Sequence, residues 1–402
     1  PQVVGCQAHR QIAREAAEKS IVLLKNEGGL LPLRDIKRLA VIGKLADTPN
    51  TGDGGSSNTR PAYVITPLQG LREALEGKVH IDYDDGSDLE SAARAARGAD
   101  AVILVVGYTH QDEGEYTTPD IIATFAPGFP QPTPEEMPYV QKLMQSSSLH
   151  DVSTFPPGGD RKLLTLKPAD EALIQAVTAV NRKVIVAIMA GSAVITEAWG
   201  AQVPAILMLW YPGMEGGYAF ADILLGRVNP SGKLPIVFPK QAEDLPYYDI
   251  NATTITYDMW HGYRKLERDG LEPAFPFGFG LSYTTFRYSN LRLSKPKLTP
   301  QDTLTATLEV TNTGALAGEE VVQFYVAAPG SQVERAPKEL KAFTRLSLQP
   351  GETKTVRVEI PVKELAYYNE QRGWTIEKLR YELIAAQHSL DGQAQRLSFE
   401  VI

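Results

Sequence analysis

One apolar run constrains the fold of this chain more than any other feature. Residues Ala101–Gly107 are an unbroken series of hydrophobic side chains that ends in glycine. A run of this kind predicts a parallel β-strand that is buried on both faces of its sheet. Because such a strand needs helices above and below it, the run predicts an α/β domain.

Strand and helix patterns alternate through roughly the first 235 residues, a length sufficient for one sizeable domain. Strand patterns occur at residues 39–43, 79–83, 101–107, 184–190 and 205–211. Helix patterns occur at residues 9–26, 68–75, 89–96, 169–180, 194–199 and 218–225. Alternation of the two predicts crossover units and a mostly parallel sheet that is covered on both faces.

The pattern changes after residue 240. Residues 241–280 form an aromatic connector, and residues 281–402 contain short alternating strands separated by turn signals. This pattern predicts an immunoglobulin-like or fibronectin type III-like sandwich. We therefore expect an α/β sandwich domain at residues 1–240, with a mostly parallel sheet, followed by an all-β sandwich at residues 281–402.

Composition excludes several classes of partner. The net charge is −8 and no long basic run is present, so nucleic acid and anionic membranes are poor candidates. Cys6 is the single cysteine, which excludes a disulfide framework and a thiolate metal cluster. No apolar run approaches the ~18 residues of a membrane span, so we expect a soluble protein, either cytoplasmic or periplasmic or secreted.

The sequence predicts neither a metal site nor a cofactor. The six histidines lack the paired spacing of metal-binding motifs. The glycine-rich loop at residues 51–60 lacks both the glycine spacing of dinucleotide-binding loops and the lysine of a P-loop. We interpret it as a sugar-contacting or packing loop.

Acidic residues follow directly after the strand at 101–107, within what we call the acidic segment (residues 108–116). It carries His110, Asp112, Glu113 and Glu115. In open α/β sheets, ligands bind beyond the carboxyl ends of the strands. Acetal hydrolysis needs one carboxylic acid to protonate the leaving oxygen and one carboxylate on the other side of the sugar. Glu113 and Glu115 are both candidates for the acid, and a solvated acidic loop is the alternative.

Two further positions suit contact with a sugar. Asp160 and Arg161 end a long insertion rich in proline, serine and glycine. Adjacent opposite charges of this kind bind hydroxyls or brace an acidic neighbour, although ordinary surface turns carry them as well. Trp210 follows the last apolar strand, where it either stacks on a sugar or belongs to the core.

Several segments, in order along the chain, carry a resemblance to a known family. They are residues 9–26 with 31–33, then 210–217, 229–235 and 275–283. With these segments the chain resembles the C-terminal part of a glycoside hydrolase family 3 enzyme of the β-glucosidase type. The resemblance implies an α/β sandwich domain followed by a fibronectin type III-like domain.

The resemblance also implies an activity: exo-acting, retaining hydrolysis of terminal non-reducing β-linked sugars, with β-glucosidase as the first expectation. Substrates would be oligosaccharides or aryl β-glycosides. The general acid/base would come from the acidic segment, with Glu113 preferred to Glu115. The expected substrate-binding residues are Asp160, Arg161, Asp112, His110 and Trp210.

In this family the nucleophile is an aspartate on an N-terminal (β/α)8 barrel, for which this chain has no room. We therefore expect the barrel to be a partner chain or segment, and the chain alone to be inactive. The alternative is a non-catalytic carbohydrate-binding or adhesion module that uses the aromatic residues 247–279, including Trp260. Whether the chain forms a homo-oligomer is left open.

Overall fold

A computed structural model describes residues 3–52, 59, 61–114, 133–138, 161, 163–249 and 252–402. Its first part is a six-stranded sheet in the order β1-β6-β5-β4-β2-β3. The strands are β1 (Val22–Asn26), β2 (Arg38–Ile42), β3 (His80–Asp84), β4 (Ala101–Gly107), β5 (Val184–Met189) and β6 (Ala205–Met208). Strands β2 to β6 pair in parallel, and β1 is antiparallel to β6. The predicted mostly parallel sheet is confirmed.

Helices cover both faces of this sheet. They are α1 (Gln7–Ser20), α2 (Pro67–Leu75), α3 (Leu89–Arg97), α4 (Pro168–Thr178) and α5 (Gly216–Leu224). Alternate strand residues such as Ile103 and Val105 pack with residues of α1, α2 and α5. The residues between them, such as Val102 and Leu104, pack with α3 and α4. Every residue of β4 is buried, as the sequence predicts.

One predicted helix is wrong in its last part, and another is wrong throughout. The first helix ends at Ser20 rather than Asn26, and the next residues form the edge strand β1. Leu23 packs on one face of the sheet while Val22 and Leu24 pack on the other, so the apolar run follows a strand period and not a helical one. Residues 194–199 form turns with a single bridge to Thr165, and not a helix.

The second part of the chain is all-β. Its strands are β7 (Phe286–Leu293), β8 (Lys297–Leu298), β9 (Thr303–Asn312), β10 (Gly318–Ala327), β11 (Glu339–Leu348), β12 (Thr353–Pro361), β13 (Tyr367–Asn369), β14 (Gly373–Thr375), β15 (Arg380–Ala386) and β16 (Gln395–Val401). One sheet has the order β11-β10-β15-β16-β8, and the other has the order β12-β9-β7. Side chains of both sheets form one core that includes Phe324, Tyr381 and Phe399. This arrangement confirms the predicted sandwich.

The connector joins the two parts by backbone as well as side-chain contacts. It contains α6 (Gly262–Asp269), whose Tyr263 stacks on Phe277 with ring centroids 4.6 Å apart. At the start of the β-sandwich, the Leu281 N–H donates to the carbonyl of Leu23 in β1 at 2.8 Å. The edge of the first sheet is therefore covered by the chain that leads into the second part.

A buried ion pair lies at this junction. Glu320 is 2% exposed, accepts a hydrogen bond from the Tyr288 hydroxyl at 2.7 Å, and lies 3.5 Å from the Lys233 ammonium. Lys233 also donates to the carbonyl of Gly280 at 2.9 Å. Because a buried charge needs a counterion, each residue of the pair depends on the other part of the chain.

None of the helices in the described ranges is long and apolar enough to cross a lipid bilayer.

We predict that Glu320→Ala lowers the free energy of unfolding by about 3 kcal/mol, because it leaves the Lys233 charge buried without its partner. Denaturant unfolding followed by circular dichroism measures this loss. Glu359→Ala is the matched control, because Glu359 pairs with Arg357 on the exposed surface; it should cost less than about 1 kcal/mol. Equal losses of unfolding free energy for the two variants would show that the Lys233–Glu320 pair stabilises the fold no more than an exposed pair does.

Candidate active site

The acidic segment begins where β4 ends. Gly107 has a φ of +129°, and a Cβ atom at this position would lie 2.0 Å from the carbonyl oxygen of Met189 in β5. Only glycine fits a backbone conformation and an approach of this kind. The chain therefore leaves the sheet at a fixed point and carries the following residues over the carboxyl edge of β4 and β5.

Glu113 is the centre of a polar cluster at this edge. Its Oε1 lies 2.6 Å from Arg161 Nε, and the two side chains are 12% and 6% exposed. Its Oε2 accepts hydrogen bonds from the Gly191 N–H at 2.7 Å and from the hydroxyl of Tyr211. One cation and two neutral donors thus converge on this carboxylate.

These donors come from neighbouring strands. Gly191 lies two residues after β5, and Tyr211 lies three residues after β6. The carboxyl ends of adjacent parallel strands meet at one edge, which explains why residues distant in sequence surround Glu113. Neither residue is predicted from the sequence as a partner of the acidic segment, although each follows a strand end, the position at which ligand-contacting residues are expected.

The Tyr211 side chain is kept protonated and is held in place by its surroundings. Burial, together with the neighbouring Glu113, raises the pKa of the Tyr211 phenol well above its ordinary value. The phenol consequently stays protonated at neutral pH. Gly52, with a φ of +110°, packs so closely on the ring that a Cβ atom there would lie 2.9 Å from it. The ring is fixed by the start of the loop at residues 51–60.

Arg161 makes contacts beyond Glu113. Its Nη2 donates to the carbonyl of Ala193 at 2.9 Å, and its guanidinium carbon lies 4.5 Å from the centre of the Tyr108 ring. Its buried Nη1 has no hydrogen-bond partner within the described ranges. Of the two uses expected for Arg161, the structure shows the contact with an acidic neighbour, made through Nε.

Asp112 also contacts other residues of the chain. Its Oδ2 accepts from the Thr109 N–H at 2.9 Å and lies 2.8 Å from Lys167 Nζ. Burial alone would raise the pKa of Asp112, but the hydrogen bonds from Lys167 and Thr109 outweigh it and hold the pKa below its ordinary value. Asp112 is therefore an ionised residue that fastens the turn after β4. His110 lies at the exposed side of the same turn.

Trp210 is turned away from Glu113. Its indole N–H donates to the carbonyl of Ser20 at 3.2 Å, and its ring packs edge-on against Phe238 with centroids 6.3 Å apart. The next residue, Tyr211, is the one that reaches the acidic segment. Trp260, which the alternative function would use for stacking, is 7% exposed and lies beneath the Arg268 guanidinium.

Two of the predicted site residues, Glu115 and Asp160, lie outside the described residues. Among the residues that are described, no group of three or more His, Cys, Asp or Glu side chains is placed to hold a metal ion.

Asp170 is a further titratable group at this edge that the sequence analysis did not select. It lies in the first turn of α4, and its Oδ2 accepts from the Gly107 N–H at 3.2 Å. Burial raises its pKa from 3.8 to about 6. An aspartate just after the proline that begins a helix is the sequence signal that could have indicated it.

The pKa of Asp170 predicts a pH effect on stability. Since its folded pKa lies above its unfolded pKa, ionisation weakens the folded state as the pH rises from about 4 to about 6. Asp170→Asn keeps an acceptor for Gly107 and removes this ionisation. We expect the variant to match the parent at pH 4 and to exceed its unfolding free energy by about 2–3 kcal/mol at pH 7.

Denaturation between pH 4 and pH 7 tests this prediction. Asp269→Asn serves as the control with the opposite sign, because Arg268 and Lys265 lower the pKa of Asp269 to about 2. A difference between Asp170→Asn and the parent that stays constant with pH would contradict the prediction.

Comparison with known proteins identifies the family. Residues 21–283 match the model of the glycosyl hydrolase family 3 C-terminal domain, and residues 320–389 match that of the fibronectin type III-like domain. A β-xylosidase of Formosa agariphila is 35% identical over 93% of this chain and 47% of its own length. Thermostable β-glucosidase B of Acetivibrio thermocellus is 32% identical over 96% of this chain and 47% of its own length.

Solved structures agree with these relatives. The β-D-glucoside glucohydrolase of Trichoderma reesei superposes with a TM-score of 0.83 at 25% identity, over 98% of this chain and 56% of that chain. The chain spans about half the length of the curated relatives it matches. Since the first family model covers more than half of its residues, the chain belongs to glycosyl hydrolase family 3.

Proposed function

We propose that this chain supplies the general acid/base of an exo-acting, retaining β-glycosidase, with β-glucosidase as the first candidate activity. In this proposal residues 1–240 carry the acidic segment, and an N-terminal (β/α)8 barrel, as a partner chain or segment, carries the aspartate nucleophile. The substrates are oligosaccharides or aryl β-glycosides with a terminal β-linked sugar. Relatives named β-glucosidase and β-xylosidase support the substrate class.

The observation that carries the proposal is the convergence of donors on Glu113 at the carboxyl edge of the sheet. The ion pair with Arg161 holds the Glu113 side chain at this position. Precise placement of an acid relative to the glycosidic oxygen is what a glycosidase requires, because proton transfer depends on hydrogen-bond geometry.

The contacts of Glu113 also suggest different roles for Glu113 and Glu115. A general acid must carry a proton in the first step and lose it to the leaving group. Oε2 of Glu113 already accepts two hydrogen bonds, and Oε1 lies against the Arg161 cation. We therefore assign Glu113 to positioning and Glu115, the other glutamate of the acidic segment, to proton transfer.

The mechanism then follows the retaining scheme. Glu115 protonates the glycosidic oxygen while the aspartate of the barrel attacks the anomeric carbon and forms a glycosyl-enzyme. Glu115, now ionised, removes a proton from water, which releases the sugar with its original anomeric configuration. Arg161 and Asp112 hold the segment in place through Glu113 and Lys167.

The assignment predicts different kinetics for two matched variants of the assembled enzyme. Glu115→Gln should lower kcat/KM about 10²–10⁴-fold for alkyl and phenyl glucosides, which need protonation of the leaving group. It should affect 2,4-dinitrophenyl glucoside much less in the first step, and azide should restore turnover by forming a glycosyl azide. Glu113→Gln should lower activity on all leaving groups to a similar degree, without rescue by azide.

Product analysis by NMR separates these outcomes. If Glu113→Gln shows the dependence on leaving group and the azide product while Glu115→Gln does not, the proton donor is Glu113, as the sequence analysis preferred.

A further prediction concerns Tyr211. Tyr211→Phe removes one of the two neutral hydrogen-bond donors to Glu113, so kcat should fall roughly tenfold for good and poor leaving groups alike, in line with the loss of a hydrogen bond to a charged group. Tyr218→Phe is the matched control, because the Tyr218 hydroxyl binds Glu73 at the surface. Steady-state kinetics that give the same kcat for both variants would remove Tyr211 from the positioning cluster.

A further inference from the structure

Two aromatic side chains stand open to solvent on the β-sandwich. Tyr368 in β13 and Trp374 in β14 face each other across a two-stranded hairpin. They are 64% and 75% exposed. Their ring centroids lie 5.6 Å apart with the planes at 77°. We call these two residues the aromatic pair.

The hairpin that carries the aromatic pair is well supported. Asn369 Oδ1 accepts from the N–H groups of Gln371 and Arg372, both at 3.0 Å, which closes the turn. On the opposite face of the hairpin, the Arg335 guanidinium lies 5.7 Å from the centre of the Tyr367 ring. Arg335 is itself fixed by donation to the carbonyl of Leu365. The two exposed rings are thus held in place before any ligand arrives.

The size of this surface argues against a protein partner. Large aromatic residues bury about 150–250 Å² each, so the two rings offer on the order of 300 Å². A stable protein–protein contact buries about 800 Å² on each side. The aromatic pair therefore suits a small or linear ligand that presents a narrow apolar face.

Charge favours a neutral ligand. Glu370 and Arg372 at the tip of the turn cancel each other, and the chain as a whole has a net charge of −8. An anionic polymer would meet no local excess of positive charge on the hairpin and a repulsive field from the whole chain. A β-linked sugar chain instead combines apolar C–H faces, which fit aromatic rings, with hydroxyl groups that fit the polar side chains of the turn.

We propose that Tyr368 and Trp374 form a docking platform for a neutral β-linked glycan, separate from the cluster around Glu113. The choice of a glycan as ligand rests on the proposed glycosidase function. Through this platform the β-sandwich holds a polymer against the protein while hydrolysis takes place elsewhere, so the sandwich contributes binding and not only support.

Affinity electrophoresis of the 402-residue chain tests the platform without any need for activity. Native gels contain hydroxyethyl cellulose, arabinoxylan or, as the anionic comparison, carboxymethyl cellulose. The parent should be retarded by at least one of the two neutral polymers. Trp374→Ala and Tyr368→Ala should bind at least about tenfold more weakly, the loss expected when an aromatic anchor of a binding site is truncated.

Phe343→Ala is the matched control, because Phe343 is 69% exposed on strand β11 of the same sandwich. It should be retarded like the parent. All three positions are at the surface, and unchanged melting temperatures would show that the variants fold.

Three results would overturn the platform. The first is that neither neutral polymer retards the parent. The second is that Trp374→Ala and the parent are retarded equally. The third is that sedimentation shows a dimer of the parent which Trp374→Ala does not form. The last result would make the aromatic pair a self-association surface. Retardation that depends on Trp374, in a chain that fails to support hydrolysis with a barrel partner, would remove the proposed function and leave the platform intact.

Discussion

The ion pair between Glu113 and Arg161 is the interaction on which the arrangement at the sheet edge depends. It joins the two ends of the long insertion, since Glu113 precedes the insertion and Arg161 follows it. Arg161 is then tied to the chain after β5 through Ala193, and Glu113 is tied to β5 and β6 through Gly191 and Tyr211. Because three strands contribute, the geometry of this edge follows from the parallel sheet itself.

Polar contacts also join the two parts of the chain. The Lys233–Glu320 pair and the hydrogen bond from Leu281 to β1 cross from the α/β sandwich to the β-sandwich, and Lys233 also contacts Gly280 at the end of the connector. Buried polar groups are costly unless paired, so these contacts favour one relative placement of the two parts. The β-sandwich is thereby held in a defined position relative to the edge where Glu113 lies.

The features predicted well from sequence are those that one dominant pattern determines. The run 101–107 has a single interpretation, and the position of Glu113 beyond it follows from the rule for parallel sheets. Residues 21–24 were misassigned because their apolar side chains satisfy both a helical and a strand period, and pairing with β6 decided between them. Tyr211 and Asp170 were missed because their importance arises from contacts between strands that no local pattern encodes. The neighbour of Tyr211, Trp210, carried the stronger sequence signal and packs elsewhere.

The two edges of the six-stranded sheet are protected against further pairing in different ways. The edge strand β3 carries polar or charged side chains at every second position, namely His80, Asp82 and Asp84. Charges of this kind discourage a second strand from adding to the sheet. The other edge, β1, begins with the apolar residues Val22, Leu23 and Leu24, and Leu281 pairs with its backbone at Leu23. The fibronectin type III-like part is thus more than an appendage, because the segment that enters it shields an aggregation-prone edge of the domain that carries the acidic segment.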